Sequence, residues 1–230
     1  MLKVSDTLTG ELKVFEPLEE GVVRIYVCGP TVYDLTHIGH ARTYIAFDVI
    51  VRYLKFKGYK VKYVVNITDV EDKIINKAKE LGVTPEEVAR KYEKDFFEVV
   101  KELNLLPADH YPRVTDHVKD IIEVVKTLIE KGYAYVVDGD VYFDVLKFPD
   151  YGKLSKQDLK SLIAGARVEV DTRKKHPADF ALWKRAKEGE PYWKSPWGPG
   201  RPGWHIECTV MSIKYLGEQI DIHGGGSDLI

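Results

Sequence analysis

Val22-Val23-Arg24-Ile25-Tyr26-Val27 is a short run that is mostly β-branched and apolar, the composition of a buried strand. A turn follows at Cys28-Gly29-Pro30. Beyond it Ala46, Val49, Ile50, Tyr53 and Leu54 recur at helical spacing, so a helix spans about Gly39 to Lys57 and stops at Gly58. Val61-Lys62-Tyr63-Val64-Val65-Asn66-Ile67 is a second strand. A strand, a helix and a strand in that order leave the chain little freedom. The strands pair in parallel and the crossover is right-handed. The class is therefore α/β with a parallel sheet, and ligands of such sheets bind beyond the carboxyl ends of the strands.

The rest of the chain alternates between this pattern and another. Asp69 to Leu81 reads as a helix closed by Gly82, and Thr84-Pro85-Glu86-Glu87 is a capping box that opens the next. Thr115 is expected to cap a further helix that Gly132 closes. Residues 134–145 then form a β-hairpin with a turn at Asp138-Gly139. An antiparallel hairpin inside a parallel pattern marks an insertion. Tyr151 to Pro199 reads as irregular, His205 to Leu216 as a helix and Gln219 to His223 as a strand. The expected division is 1–112 for the first half of a nucleotide-binding domain and 113–195 for an α+β connective insertion. Residues 196–230 would begin the second half, which stops in a glycine-rich loop, as in a truncated domain.

Composition limits the function classes. A net charge of −2 carries no basic excess that would announce nucleic acid by itself. Two cysteines exclude a disulfide framework and fit a reducing compartment, so the chain is expected in the cytoplasm. No apolar run reaches the roughly 20 residues of a membrane span. Abundant Lys and Glu with only two Met point to a thermophile.

Four clusters carry chemistry. His37 and His40 fall three residues apart where a helix begins, and so share a face beside unpaired N–H groups that favour anions. They could donate to phosphoryl oxygens, with Gly39 letting a flat group approach the backbone, or they are two surface histidines near a cap. Cys28 and Cys208 are either buried small hydrophobes or soft metal ligands. A tetrahedral zinc site needs two more ligands, for which His223, His205 and Glu207 qualify by residue type. Asn66 and Thr68 either cap the next helix or face the crevice beside Cys28. Gly224 to Asp228 is either a plain loop or a place where backbone approaches a nucleotide.

Taken together, these segments resemble the cysteinyl-tRNA synthetases, which are class I aminoacyl-tRNA synthetases. The matching stretches are Cys28-Gly29-Pro30-Thr31-Val32-Tyr33-Asp34 running into His37-Ile38-Gly39-His40, Asn66-Ile67-Thr68-Asp69, and Asp179-Phe180-Ala181-Leu182-Trp183-Lys184. Trp197 to Cys208 and Asp221 to Asp228 complete the set in the family's order. The resemblance implies a Rossmann-type (HUP-like) catalytic domain split by a connective insertion. It implies activation of L-cysteine by ATP with Mg2+ to cysteinyl-adenylate, then transfer to tRNA(Cys). By resemblance His37 and His40 act on the ATP phosphates, and Cys28 and Cys208 are two ligands of a Zn2+ ion that holds the substrate thiolate. Thr31, Gly39, Thr43, Gly226 and Asp228 correspond to positions that bind the nucleotide or adenylate. Gly29, Thr68, Trp204 and His223 correspond to positions lining the amino-acid pocket. The family's other two zinc ligands and its Lys-Met-Ser-Lys-Ser loop are expected beyond residue 230, as is its anticodon-binding region, so this chain alone is expected to be impaired. The alternatives are a related ligase joining cysteine to an amino-sugar, a nucleotidyltransferase that uses the His-x-Gly-His segment without a metal, and a non-catalytic short paralogue.

Overall fold

The computed structural model describes residues 1–157, 172–203, 205–226 and 229. They fall into two compact units. One comprises residues 17–118 and 206–229, the other residues 1–16 and 119–205.

The first unit is built on a parallel sheet. Strand β3 (Val22–Val27) lies between β4 (Lys60–Val65) and β9 (Ile222–Gly224), parallel to both. Its Val23, Ile25, Tyr26 and Val27 are fully buried, as a central strand covered on both faces requires. The register pairs Val22 with Lys60 through Val27 with Val65 on one side, and Ile25 with Ile222 through Val27 with Gly224 on the other. An irregular segment extends the sheet past β4 through single bridges at His110 and Arg113. The crossover from β3 to β4 is helix α1 (Ile38–Phe56), and β9 lies on the opposite flank of β3. The carboxyl end of β3 is therefore a switch point, the place where open α/β sheets bind ligands.

Helix α2 (Asp72–Leu81) begins three residues later than the expected start at Asp69. Its N-cap is Glu71, whose carboxylate accepts from Lys73 N, so neither Asn66 nor Thr68 caps it. Helix α3 (Pro85–Glu102) has the reciprocal Thr84–Glu87 box that the sequence predicts. Thr115 is not a helix cap. It sits inside a 3-10 turn (Val114–His117), where its N–H and hydroxyl both donate to the buried carboxylate of Asp69, at 3.0 and 2.6 Å. Helix α4 (Val118–Glu130) begins only after that turn. Helix α5 (Ile206–Leu216) carries Cys208 on a buried face. The strand expected from Gln219 starts at Ile222, because Asp221 instead accepts from the backbone N–H groups of Leu18 and Arg24 at 2.7 and 2.6 Å.

The second unit holds an antiparallel sheet in the order β5 (Ala134–Val137), β6 (Asp140–Phe143), β7 (Phe180–Arg185), β8 (Gly200–Pro202). The β5–β6 hairpin turns through Asp138 and Gly139, both at positive φ, 50° and 89°. That is the geometry an Asp-Gly pair favours. β7 occupies part of the stretch read as irregular, and β8 carries the sheet past residue 196 by pairing Trp183 with Pro202. Asp179, 1% exposed, accepts from the Tyr135 hydroxyl and from the N–H groups of Val145 and His176. A short hairpin of β1 (Lys3–Ser5) and β2 (Leu12–Val14) belongs to the same unit.

Candidate active site at the carboxyl edge of the parallel sheet

The parallel register brings three strand ends level, so that Cys28, Asn66 and Gly225 each follow the last residue of a strand. Cys28 N donates to Gly224 O at 2.8 Å, which carries the β3–β9 pairing one residue further. On the other side Thr68 N donates to Pro30 O and Val32 N donates to Thr68 O, so Thr31 and Thr68 bridge in parallel. Between these contacts Gly29 passes against β4's continuation. A Cβ at residue 29 would lie 1.4 Å from the carbonyl oxygen of Asn66. Only glycine permits that approach.

Two thiols converge here from distant parts of the sequence. Cys28 Sγ and Cys208 Sγ are 3.8 Å apart, and neither cysteine is in a disulfide. His223 Nε2 lies 3.4 Å from Cys28 Sγ, and the His223 ring faces Tyr26 at 5.4 Å. The contact with Cys28, followed by burial and the nearby Glu207 charge, holds the Cys208 thiol well above its ordinary pKa. Tyr26 is likewise raised, chiefly by burial.

This pair fits a zinc ion. Two thiolates at the usual Zn–S distance and a tetrahedral angle stand about 3.8 Å apart, which is the spacing of these sulfurs. Among the described residues, however, no group of three or more His, Cys, Asp or Glu side chains is placed to hold a metal. Glu207 is buried on α5 next to Cys208, and His205 precedes that helix at φ 75°. Neither completes such a set.

The histidines cap α1. His37 is the N-cap, and its Nδ1 accepts from Gly39 N at 3.1 Å. His37 N in turn faces His40 Nδ1 at 3.5 Å, so the pair forms a capping box made of imidazoles. Their rings stack with centroids 3.9 Å apart. A backbone N–H can only donate, so each Nδ1 is the acceptor and each Nε2 carries the proton. Burial, then His37, then Lys73 push the His40 pKa below its ordinary 6.5. The helix start therefore presents Nε2–H donors at the positive end of the α1 dipole, an arrangement suited to phosphoryl oxygens. Thr43 donates its hydroxyl to Gly39 O at 3.2 Å.

Of the residues singled out in the sequence, Cys28, Gly29, Thr31, Thr68, Cys208 and His223 meet at this edge. His37, Gly39, His40 and Thr43 lie at the start of α1. Gly226 accepts from Leu229 N in the loop after β9, and Trp204 and Asp228 fall outside the described residues. Sequence reasoning missed Lys73. Its position in the first turn of α2, where a cation opposes the helix dipole, was the available signal. Of the two readings open for Asn66, a helix cap or a residue beside Cys28, the structure gives the second: its side chain bonds Gly29, Tyr26 and Thr68 and faces Cys208.

Comparison with known proteins gives the family of the chain and its fold. The chain is 64% identical to the cysteine--tRNA ligase of Thermococcus kodakarensis and 62% identical to that of Pyrococcus furiosus. In both cases all of this chain is matched against 48% of the relative, so the chain spans about half the length of the curated relatives it matches. The fold superposes on a methionyl-tRNA synthetase of Mycobacterium tuberculosis, solved in complex with methionyl-adenylate, with a TM-score of 0.67. That match covers 90% of this chain and 52% of the other, at 16% identity, and bears on the fold alone. A family model described as the catalytic domain of class I (C) tRNA synthetases matches residues 14–230, and the chain belongs to that family.

Proposed function

We propose that this chain forms the first part of the catalytic unit of a cysteine--tRNA ligase. The protein it belongs to activates L-cysteine with ATP and Mg2+ and passes the cysteinyl group to tRNA(Cys). The observation that carries the reading is the pair of thiols 3.8 Å apart at the switch point of a parallel sheet, Cys28 on the turn that leads into the His37–His40 cap and Cys208 on α5. The 62–64% identity to named cysteine--tRNA ligases supports the substrate.

In the first step the cysteine carboxylate attacks the α-phosphorus of ATP, and the bond to pyrophosphate breaks. Negative charge builds on the phosphoryl oxygens, where the Nε2–H donors of His37 and His40 and the α1 N-terminus stabilise it without reorganising. In the second step a terminal ribose hydroxyl of the tRNA attacks the acyl carbon, and AMP leaves. Thr31, Gly39, Thr43 and Gly226 contact the nucleotide, and Gly29, Thr68 and His223 line the amino-acid pocket.

Cys28 and Cys208 hold a zinc ion in the complete protein. Bound there, zinc supplies a soft Lewis acid that a thiol ligates readily and a serine hydroxyl does not. Packing alone separates such near-isosteres weakly, so the metal supplies the selectivity. The reaction takes place in the cytoplasm, a compartment that fits two cysteines outside any disulfide. Among the described residues no helix is long and apolar enough to cross a membrane.

The test is ATP–pyrophosphate exchange by the protein of the full reading frame, with L-cysteine and L-serine, alongside zinc analysis. Cysteine-dependent exchange, stoichiometric zinc, and loss of both in Cys28→Ser and Cys208→Ser are expected. Residues 1–230 alone are expected to retain zinc substoichiometrically and to charge no tRNA. Equal exchange with serine, transfer to an amino-sugar in place of tRNA, or full activity in Cys28→Ser would overturn the assignment.

A further inference from the structure

Asn66 is 1% exposed and stands where β4 ends. Its Oδ1 accepts from Gly29 N at 2.8 Å and from the Tyr26 hydroxyl at 3.0 Å, and faces Cys208 Sγ at 3.8 Å. Its Nδ2 donates to Thr68 Oγ1 at 3.1 Å. One side chain thus ties together the turn after β3, the central strand, the helix that carries Cys208, and Thr68.

The orientation of the amide is forced. Gly29 N–H can only donate, so the atom facing it is the oxygen, and the nitrogen faces Thr68. A hydroxyl that accepts from an amide N–H keeps its own proton for another acceptor. Thr68 Oγ1 is therefore set as a hydrogen-bond donor, at a place where its backbone is already pinned to Pro30 and Val32.

We propose that Asn66 is the positioning residue of the amino-acid site: it turns the Thr68 hydroxyl into a donor toward the substrate and holds the Gly29 turn and Cys208 in register with it. This rests on the function proposed above for the identity of the substrate and for the place of Thr68 in its pocket. A merely structural asparagine would act the same whether or not residue 68 carried a hydroxyl. A positioning asparagine acts through that hydroxyl.

Asn66→Asp separates the two. Aspartate keeps an acceptor for Gly29 N and Tyr26 but offers Thr68 a second acceptor, so the hydroxyl proton turns inward and is lost to the substrate. In ATP–pyrophosphate exchange with the full-length protein, Asn66→Asp is expected to raise KM for L-cysteine about tenfold, the worth of one hydrogen bond at the upper end of the neutral range. KM for ATP should stay within about twofold, a change far below that of one lost hydrogen bond. Thr68→Val is expected to cost a similar factor, and the double variant no more than Thr68→Val alone, because the two changes remove one interaction. Multiplying effects in the double variant, or an equal rise in KM for ATP, would overturn the proposal.

Neutron diffraction of the wild-type protein reads the Thr68 deuteron directly and needs no activity. A deuteron pointing away from Asn66 is expected, and one pointing at Asn66 would refute the positioning role whatever the substrate. Absence of cysteine-dependent exchange in the wild type would instead refute the functional reading and leave the neutron result to decide on Asn66.

Discussion

Replacing Gly29 with alanine tests whether the site is held by backbone contact between the ends of β3 and β4. The added Cβ would lie 1.4 Å from the Asn66 carbonyl oxygen and 2.5 Å from its carbon. Ordinary carbon contacts sit near 3.5 Å, so the two segments must separate by about 2 Å. The obstacle is backbone, with no flexible side chain to yield. Separation on that scale breaks the 2.8 Å bond from Gly29 N to Asn66 Oδ1 and stretches that from Thr68 N to Pro30 O. Overpacking costs about 1–3 kcal/mol, and weakening the partners of a buried amide about 1–3 kcal/mol more. The loss is therefore expected at about 2–6 kcal/mol. Gly58→Ala is the control. Gly58 has φ +91° with nothing within 4 Å of an added Cβ, so it bears only the left-handed backbone cost of about 1–2 kcal/mol. Urea unfolding of the purified chain gives both values. A second reading comes from mild oxidation, since the rate at which Cys28 and Cys208 couple reports how close the thiols stand. Gly29→Ala should slow that coupling and Gly58→Ala should not. Equal stability of the two variants with unchanged coupling would refute the packing argument.

Two further outcomes follow from groups away from the thiols. Burial, His37 and Lys73 all oppose the charge on His40. NMR titration should therefore place its pKa below 6.5, and Lys73→Met should raise it. The folded state gives up this proton more readily than the unfolded chain. His40 thus favours the fold fully above pH 6.5 and loses that contribution as pH falls toward its folded pKa, and a titration above 6.5 would contradict the geometry. In the antiparallel unit, Asp179→Ala orphans three donors, from Tyr135, Val145 and His176. It should cost about 3 kcal/mol or more, with loss of amide-exchange protection in β5 to β7. A change under about 1 kcal/mol would show that these donors find other partners.

The elements that local pattern governs were legible in the sequence. The apolar run Val22–Val27, the helix from Ile38 and the run Lys60–Val65 stand where their periodicity puts them, because a strand buried on both faces and a core-facing helix leave different spacings. The Thr84–Glu87 box and the Asp138-Gly139 turn were readable for the same reason, since each motif satisfies its own backbone groups. Errors arose where a side chain had a distant partner. Thr115 looks like a cap but donates to Asp69 46 positions away. Asp221 looks like strand and pins Leu18 and Arg24 instead. β7 and β8 were hidden because a short strand with little alternation is defined by its neighbours.

The site divides along the same line. Sequence by itself determined the parallel strand–helix–strand frame, the residue types at its carboxyl edge and, through their joint order, the family. Those follow from chemistry carried within a few residues. Tertiary structure decided that Cys28 and Cys208, 180 positions apart, stand 3.8 Å from each other, and that Gly29 must be glycine. It also decided that Asn66 joins them to Thr68 and does not cap α2. Such pairings depend on where the sheet register and α5 place side chains in space, and no periodicity along the chain records a distance across it.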